Sequence, residues 1–206
     1  MKTQRQSVER AFTLIEVLIT ITIIAILASL TAAGIRNAID QANRLKVRTV
    51  VMDLKNSIDQ YQTDYSRWPI DSTITGANGE DAPELLTDGS NALVDALMGI
   101  PPASSGTPDL NPKRTPFAQF PPAHNGRHGL VGAARPYKLA DMYGQPYHIL
   151  LDTHGDNQVK NPDVNNTEPK ISQGQATHLA MKIAVYSCGK DQVPGTADDV
   201  TSWRPK

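Results

Sequence analysis

The chain has 206 residues and 20 Lys and Arg against 21 Asp and Glu, a net charge of −1 that gives no electrostatic footing for binding nucleic acid. That length holds one ordinary domain plus a long accessory element. The single cysteine, Cys188, excludes an internal disulfide, so such a domain outside the cell must depend on packing or a metal.

Residues 1–11 are polar and basic, with Lys2, Arg5 and Arg10 against Glu9. They are followed by a 19-residue apolar run, 12–30, with one charge, Glu16, near its start. At about 1.5 Å per residue the run makes a helix of roughly 28 Å, close to the hydrocarbon thickness of a bilayer. The basic leader keeps residues 1–11 in the cytoplasm by the positive-inside tendency and sends the bulk of the chain outward. A carboxylate within a spanning helix is costly and points to a function and a partner. An ordinary signal peptide is the rival reading, with Val17 to Leu30 as its apolar region and Thr31-Ala32-Ala33 as a cleavage site. The acid at Glu16, where basic residues are expected, and the unbroken helical pattern past that site both oppose it.

The junction Ala11-Phe12, continued by Thr13, Leu14, Ile15 and Glu16, resembles the leader of prepilin-type proteins, the type IV pilins and the pseudopilins of type II secretion. The resemblance implies cleavage between Ala11 and Phe12 by a dedicated prepilin peptidase, then methylation of the new Phe12 amine. The family usually has glycine where Ala11 stands. It also implies that Glu16, fifth residue of the mature chain, meets the N-terminal amine of a neighbouring subunit and sets the register of assembly.

Beyond Gly34, the residues Val47, Val51, Leu54, Ile58, Tyr61 and Tyr65 recur at spacings of three and four, one apolar stripe on a helix. All 15 prolines lie at Pro69 or later, and Gly34 is the one glycine before Gly76. A single helix from Phe12 to about Ser66, roughly 80 Å long, is therefore expected to stop at Trp68-Pro69. The expected divisions are a leader at 1–11, a transmembrane or filament-core helix at 12–35, an amphipathic helix at 36–67 and a globular domain at 68–206. The stripe needs a cover, which the globular domain supplies.

The helical signal at 83–86 and 90–99 predicts one short helix, capped by Ser90 or Asn91 and ended by Gly99. Seven prolines between Pro101 and Pro122 exclude helix and central strand, leaving an extended surface loop. Two β-rich runs follow, 147–152 and 180–188, with Met181, Ile183 and Val185 alternating in the second. Asp152 to Asn157 reads as a polar turn. The segment Asp141-Met142-Tyr143-Gly144-Gln145-Pro146-Tyr147 is similar to the Asp-Pro-Trp-Gly-x-Pro-Tyr segment of the major pseudopilins.

In the stretch 188–200, Asp191, Asp198 and Asp199 surround a Pro-Gly turn, an oxygen-rich set of the kind a hard cation takes. The spacing is not that of an EF-hand, and a solvated acidic turn explains it equally from the residues alone. It does resemble the calcium loop of the major pseudopilins. By that match Asp191, Asp198 and Asp199 supply carboxylate oxygens, Cys188 and Val193 supply carbonyls, and Trp203 packs behind. Asp152 and Asp156 form a weaker cation candidate, better explained as a turn. The five histidines show no zinc-ligand spacing, and no nucleophile, phosphate-binding or acid-base motif appears.

The fold class implied is α+β and type IV pilin-like, a long N-terminal helix packed on a small antiparallel sheet domain with extended loops. The expected role is a non-enzymatic structural subunit of a type II secretion pseudopilus, single-pass in the bacterial inner membrane and periplasmic after assembly, with structural calcium. Its expected partners are the prepilin peptidase, further copies, other pseudopilins and the inner-membrane secretion platform, with no nucleic acid. Two alternatives stand beside it: a type IV pilin for adhesion, motility or DNA uptake, and a signal-anchored periplasmic binding protein or enzyme.

Overall fold

The computed structural model describes residues 13–206 apart from 75, 77, 78, 205 and 206, and for 30–34 the backbone alone. The leader 1–11 and the Ala11-Phe12 junction lie outside the described residues. Two compact units divide between Ala42 and Asn43.

Helix α1, Leu14–Tyr65, runs for 52 residues and passes Gly34 without interruption. In the first unit its large side chains stand exposed on every side, from 49 % at Val17 to 87 % at Leu14, through Leu27. The hydroxyls interspersed among them turn inward: Thr20 donates to the Val17 carbonyl, Thr22 to Leu18 and Ser29 to Ile26. Such back-bonding leaves no side-chain donor unsatisfied when the helix lies among apolar neighbours. No helix among the described residues is long and apolar enough to cross a membrane. The run whose side chains are described stops at Ser29, where 30–34 begin.

In the second unit the same helix is one-sided. Val47, Val51, Leu54, Ile58 and Tyr61 are fully buried, as their spacing requires, and Tyr65 partly so. At about 1.5–3 kcal/mol for each fully buried aliphatic side chain, this stripe is a large share of the domain's stabilisation. The helix ends at Tyr65 because Ser66 takes a left-handed φ of 53°, and Pro69 follows three residues on.

The stripe packs on a four-stranded antiparallel sheet in the order β1-β4-β7-β8, formed by Leu85–Leu86, His148–Leu151, Ile183–Ser187 and Val200–Thr201. In register, Ile149 faces Val185 and Leu151 faces Ile183. Ile149, Leu151, Ile183 and Val185 point toward α1, whereas Leu150, Ala184 and Tyr186 point to the other face. There they form a second cluster with Val159, Leu179, Met181 and Trp203. Both faces are covered, so these strands read as nearly continuous apolar runs. Met181, expected in the second strand, lies just ahead of it.

Two small ribbons complete the domain: β2, Gly129–Val131, with β3, Lys138–Ala140, and β5, Val159–Lys160, with β6, His178–Leu179. The short helix expected within 90–99 is α2, Leu93–Leu97; the Asn91 carboxamide oxygen accepts the Leu93 N–H just ahead of it, and Gly99, at φ 70°, follows its end. A 3-10 turn at Pro162–Asn165 and a four-residue helix α3 at Pro169–Ser172 were not expected.

The proline-rich segment has neither helix nor strand, as expected, but it is not a surface loop throughout. Leu110, Asn111 and Ala118 are buried. Tyr61 donates its hydroxyl to the Leu110 carbonyl, and Ser57 donates to that of Phe117 at 3.0 Å. Asn111 donates to the carbonyls of Ala96 and Thr115 at 2.7 Å each and accepts from Tyr65 at 2.6 Å. Tyr61 and Tyr65 stack, and Phe117 meets both rings edge-on. Prolines deny the segment a ladder of its own, so its polar backbone is satisfied by side chains from α1, by Asn111, by Arg67 and Arg135, and by the Leu97 carbonyl, which accepts the N–H groups of Phe117 and Ala118.

Candidate functional site

Two places carry the functional expectations, the start of α1 and the acidic loop. At the start of α1, Thr13 precedes the first helical residue, and its hydroxyl and carbonyl oxygens accept the Glu16 N–H at 3.3 and 3.1 Å. Thr13 and Glu16 thus stand in the order of a capping box, with the acid in the first turn where the helix dipole favours it. The Glu16 side chain is exposed and ringed by exposed apolar residues. Ala11 and Phe12 lie outside the described residues.

The acidic loop opens at Gly189, whose φ of 70° and close approach to Asp198 admit no side chain. A Cβ there would sit 2.5 Å from both the Asp198 carbonyl oxygen and its Oδ2. Asp198 Oδ2 accepts the N–H groups of Lys190 and Asp191 at 2.6 and 3.1 Å, and its Oδ1 lies 2.8 Å from the Thr196 hydroxyl. Asp191 Oδ1 accepts the Val193 N–H at 2.9 Å. Asp199 Oδ2 accepts from Gly195 and Thr196 at 2.9 and 3.1 Å. The Val193 carbonyl lies 3.2 Å from the Thr196 hydroxyl.

The three expected carboxylates therefore share one loop, each turned onto the loop's own amides. Among the described residues, no group of three or more His, Cys, Asp or Glu side chains is placed to hold a metal ion. The donor chemistry nevertheless suits a hard cation, being all oxygen. Burial raises Asp198, but the Thr196 hydroxyl and the Asp191 and Lys190 amides outweigh it and hold the carboxyl below its usual range. Burial pushes Asp199 up to about 6 against the pull of the Gly195 and Thr196 amides and of Arg204, and Asp198 adds to the rise. Asp199 thus stands between a second acid and the Arg204 guanidinium.

Cys188, at the head of the loop, is buried, and its Sγ lies 3.1 Å from His148 Nε2, while His148 Nδ1 lies 2.9 Å from Glu84 Oε1. The line Cys–His–Glu has the order of a nucleophilic relay. Burial pushes the thiol up to about 12, however, so no thiolate stands ready. Trp203 packs edge-on against Tyr186 behind the sheet, and its indole N–H goes to Asp163 Oδ2 at 2.7 Å.

Asp163 and Arg204 were not singled out in the sequence. Asp163 is buried in the 3-10 turn and takes the Arg204 guanidinium in a fork, with Nε at 3.0 and 2.9 Å and Nη2 on Oδ1. Arg204 Nη2 also stands 3.9 Å from Asp199 Oδ2, so it ties the 3-10 turn to the acidic loop. Asp141, noted only as part of a motif, is fully buried: Oδ1 accepts from Tyr143 and Gln145 at 2.8 and 2.9 Å, and Oδ2 from the Ser187 hydroxyl at 2.6 Å. Ser187 Oγ in turn accepts the Gly189 N–H at 3.2 Å, which joins the turn between β3 and β4 to the start of the loop. Asp152 takes the amides of Asp156 and Asn157 at 3.1 and 2.8 Å, the turn expected of it.

The prokaryotic N-terminal methylation motif matches residues 6–32. The chain is similar to the type II secretion system core protein G of Klebsiella michiganensis, 28% identical over 97% of this chain and 96% of that one. It is also similar to the protein of the same name from Aeromonas hydrophila, 27% identical over 100% of this chain and 98% of that one. The fimbrial protein EcpC of Eikenella corrodens is 26% identical over 45% of this chain and 65% of its own length. No solved structure matches at a significant level.

Proposed function

We infer that this chain is a member of the major, G-type pseudopilin family of type II secretion, and that it works as a structural subunit and not as an enzyme. It is cleaved and N-methylated by prepilin peptidase and assembles with other pseudopilins into a periplasmic filament that supports protein export. The observation that carries this is the methylation motif over 6–32 at the head of a helix that is apolar on every side, on a chain similar to core protein G over nearly its whole length. The fimbrial similarity covers less than half of the chain and does not favour the adhesive alternative.

The precursor is held in the bacterial inner membrane by a single pass of α1, with its second unit in the periplasm, and passes to the secretion platform there. After cleavage between Ala11 and Phe12, Glu16 pairs with the Phe12 amine of a neighbouring copy, since a carboxylate or an amine held in apolar surroundings needs an opposite charge. Mass spectrometry of the mature chain should find a methylated N-terminus at Phe12; a start at Gly34 would sink the prepilin reading.

Calcium is the second part of the proposal. Asp191, Asp198 and Asp199, with the carbonyls of Cys188 and Val193, would hold it, and the ion would supply positive charge to three carboxylates gathered in one loop. Support comes from the oxygen-only donor set and the raised Asp199 carboxyl. Calcium added to the full chain in detergent should raise its melting temperature, and Asp198→Asn should abolish the rise. An unchanged melting temperature in the unsubstituted chain overturns the calcium site and leaves the filament reading intact.

A further inference from the structure

The face of the sheet turned away from α1 carries a groove of about 670 Å³. Its floor includes Leu150, Val159 and Tyr186, members of the second apolar cluster. One wall is the segment 79–84 leading into β1, the edge strand; the other runs from Lys160 to Asn165 and includes the 3-10 turn. The charges are one-sided, with Glu80, Asp81, Glu84 and Asp156 at the groove against Lys160. Two of these acids are held in place: Asp81 Oδ1 accepts the amides of Thr153 and His154 at 2.8 and 3.0 Å, and Glu84 bonds His148 at 2.9 Å. Carboxylates fixed in advance need little ordering when a cation arrives. An apolar floor beneath charged walls at a sheet edge suits an extended chain that buries alternate side chains and offers its cations to the rim.

We propose that this groove docks an extended, Lys- or Arg-bearing segment of a partner protein. The proposal rests on the filament reading in one respect: the apolar surface that assembly uses lies on α1 between Leu14 and Leu27, which contributes no residue to the groove. Charge complementarity then names the chemistry of what covers it.

The test uses the full chain in detergent and a fluorescent peptide, acetyl-(Lys-Val)₄-amide, with acetyl-(Glu-Val)₄-amide as control, read by anisotropy. Glu80→Lys with Asp156→Lys should weaken the lysine peptide by about tenfold or more, since both charge–charge contacts reverse sign. Asp53→Lys with Asp59→Lys, an equal charge change on the exposed face of α1, should leave it within about twofold. Filament yield in cells should stay at the level of the unsubstituted chain in the groove variant. Equal binding of both peptides, or equal weakening by the two double variants, overturns the groove. Loss of filaments in the groove variant with normal cleavage also overturns it, because the occupant would then be a second copy. Acid-dependent peptide binding by a chain that never forms filaments would keep the groove and remove the filament reading.

Discussion

Asp163 and Asp95 are both buried acids, and their surroundings give them opposite consequences. Asp163 is matched by the Arg204 fork and the Trp203 indole, so Asp163→Ala strands a half-buried guanidinium. The expected loss is roughly 3–5 kcal/mol, read as a shift in the urea midpoint of the full chain in detergent. Asp95 Oδ1 accepts the Tyr137 N–H at 2.9 Å, but Oδ2 has no hydrogen bond and Arg135 Nε stands 3.8 Å away. Burial lifts its carboxyl above the usual 3.8 in spite of Tyr137 and Arg135. The folded chain thus binds this proton more tightly than the unfolded one. Stability from this group rises as pH falls from the lifted value toward 3.8 and is lost as pH rises back through it. Asp95→Asn should match or exceed the unsubstituted chain at pH 7, and the difference between the two should shrink as pH is lowered toward 4. The acids of the loop could be found in the sequence because they are neighbours there. Asp163 could not, since its partner lies 41 residues away and a lone acid after Asn161-Pro162 reads as an ordinary turn.

At the scale of elements, α1 was legible because 52 residues repeat one period many times, whereas a two-residue strand repeats nothing. That is why β4 and β7 were found and β1, β5, β6 and β8 were not. The proline-rich segment misled in part for a related reason: Leu110 and Ala118 are single apolar residues among turn formers, with no pattern to mark them as buried. Asn111 fastens that segment at both ends of its carboxamide, so Asn111→Ala should cost about 2–3 kcal/mol. Limited proteolysis should then cut within 101–117 sooner than in the unsubstituted chain. At the acidic loop, Gly189→Ala meets backbone and carboxylate at 2.5 Å and a left-handed φ together. It should lower stability by more than the roughly 1 kcal/mol of the backbone alone, and the full chain should melt lower with or without calcium.

For the whole molecule, the large apolar side chains described in the first unit, from Leu14 to Leu27, stand exposed, and the proposed filament reading gives them lipid or other copies as neighbours. Glu16→Ala should leave the cleavage proposed before Phe12 intact, because the acid stands four residues beyond Phe12 in the sequence, and should reduce filament yield severalfold. Immunoblots of precursor and mature chain beside sheared filament fractions would separate the two steps; equal filament yield would remove Glu16 from assembly.

The buried stripe of α1 at Val47 to Tyr61 shares its cluster with Leu85, Leu93 and Leu97 early in the chain and with Ile149, Leu151, Ile183 and Val185 only much later. A chain delivered across a membrane from that end exposes the stripe well before its cover is complete. At about 5–20 residues per second, the roughly 100 residues between them take on the order of 5–20 s to follow. During that interval the nascent domain is an open hydrophobic face tethered beside the bilayer. Its vulnerability is one of timing: whatever shields the stripe until Val185 arrives sets how much of the chain reaches the filament at all.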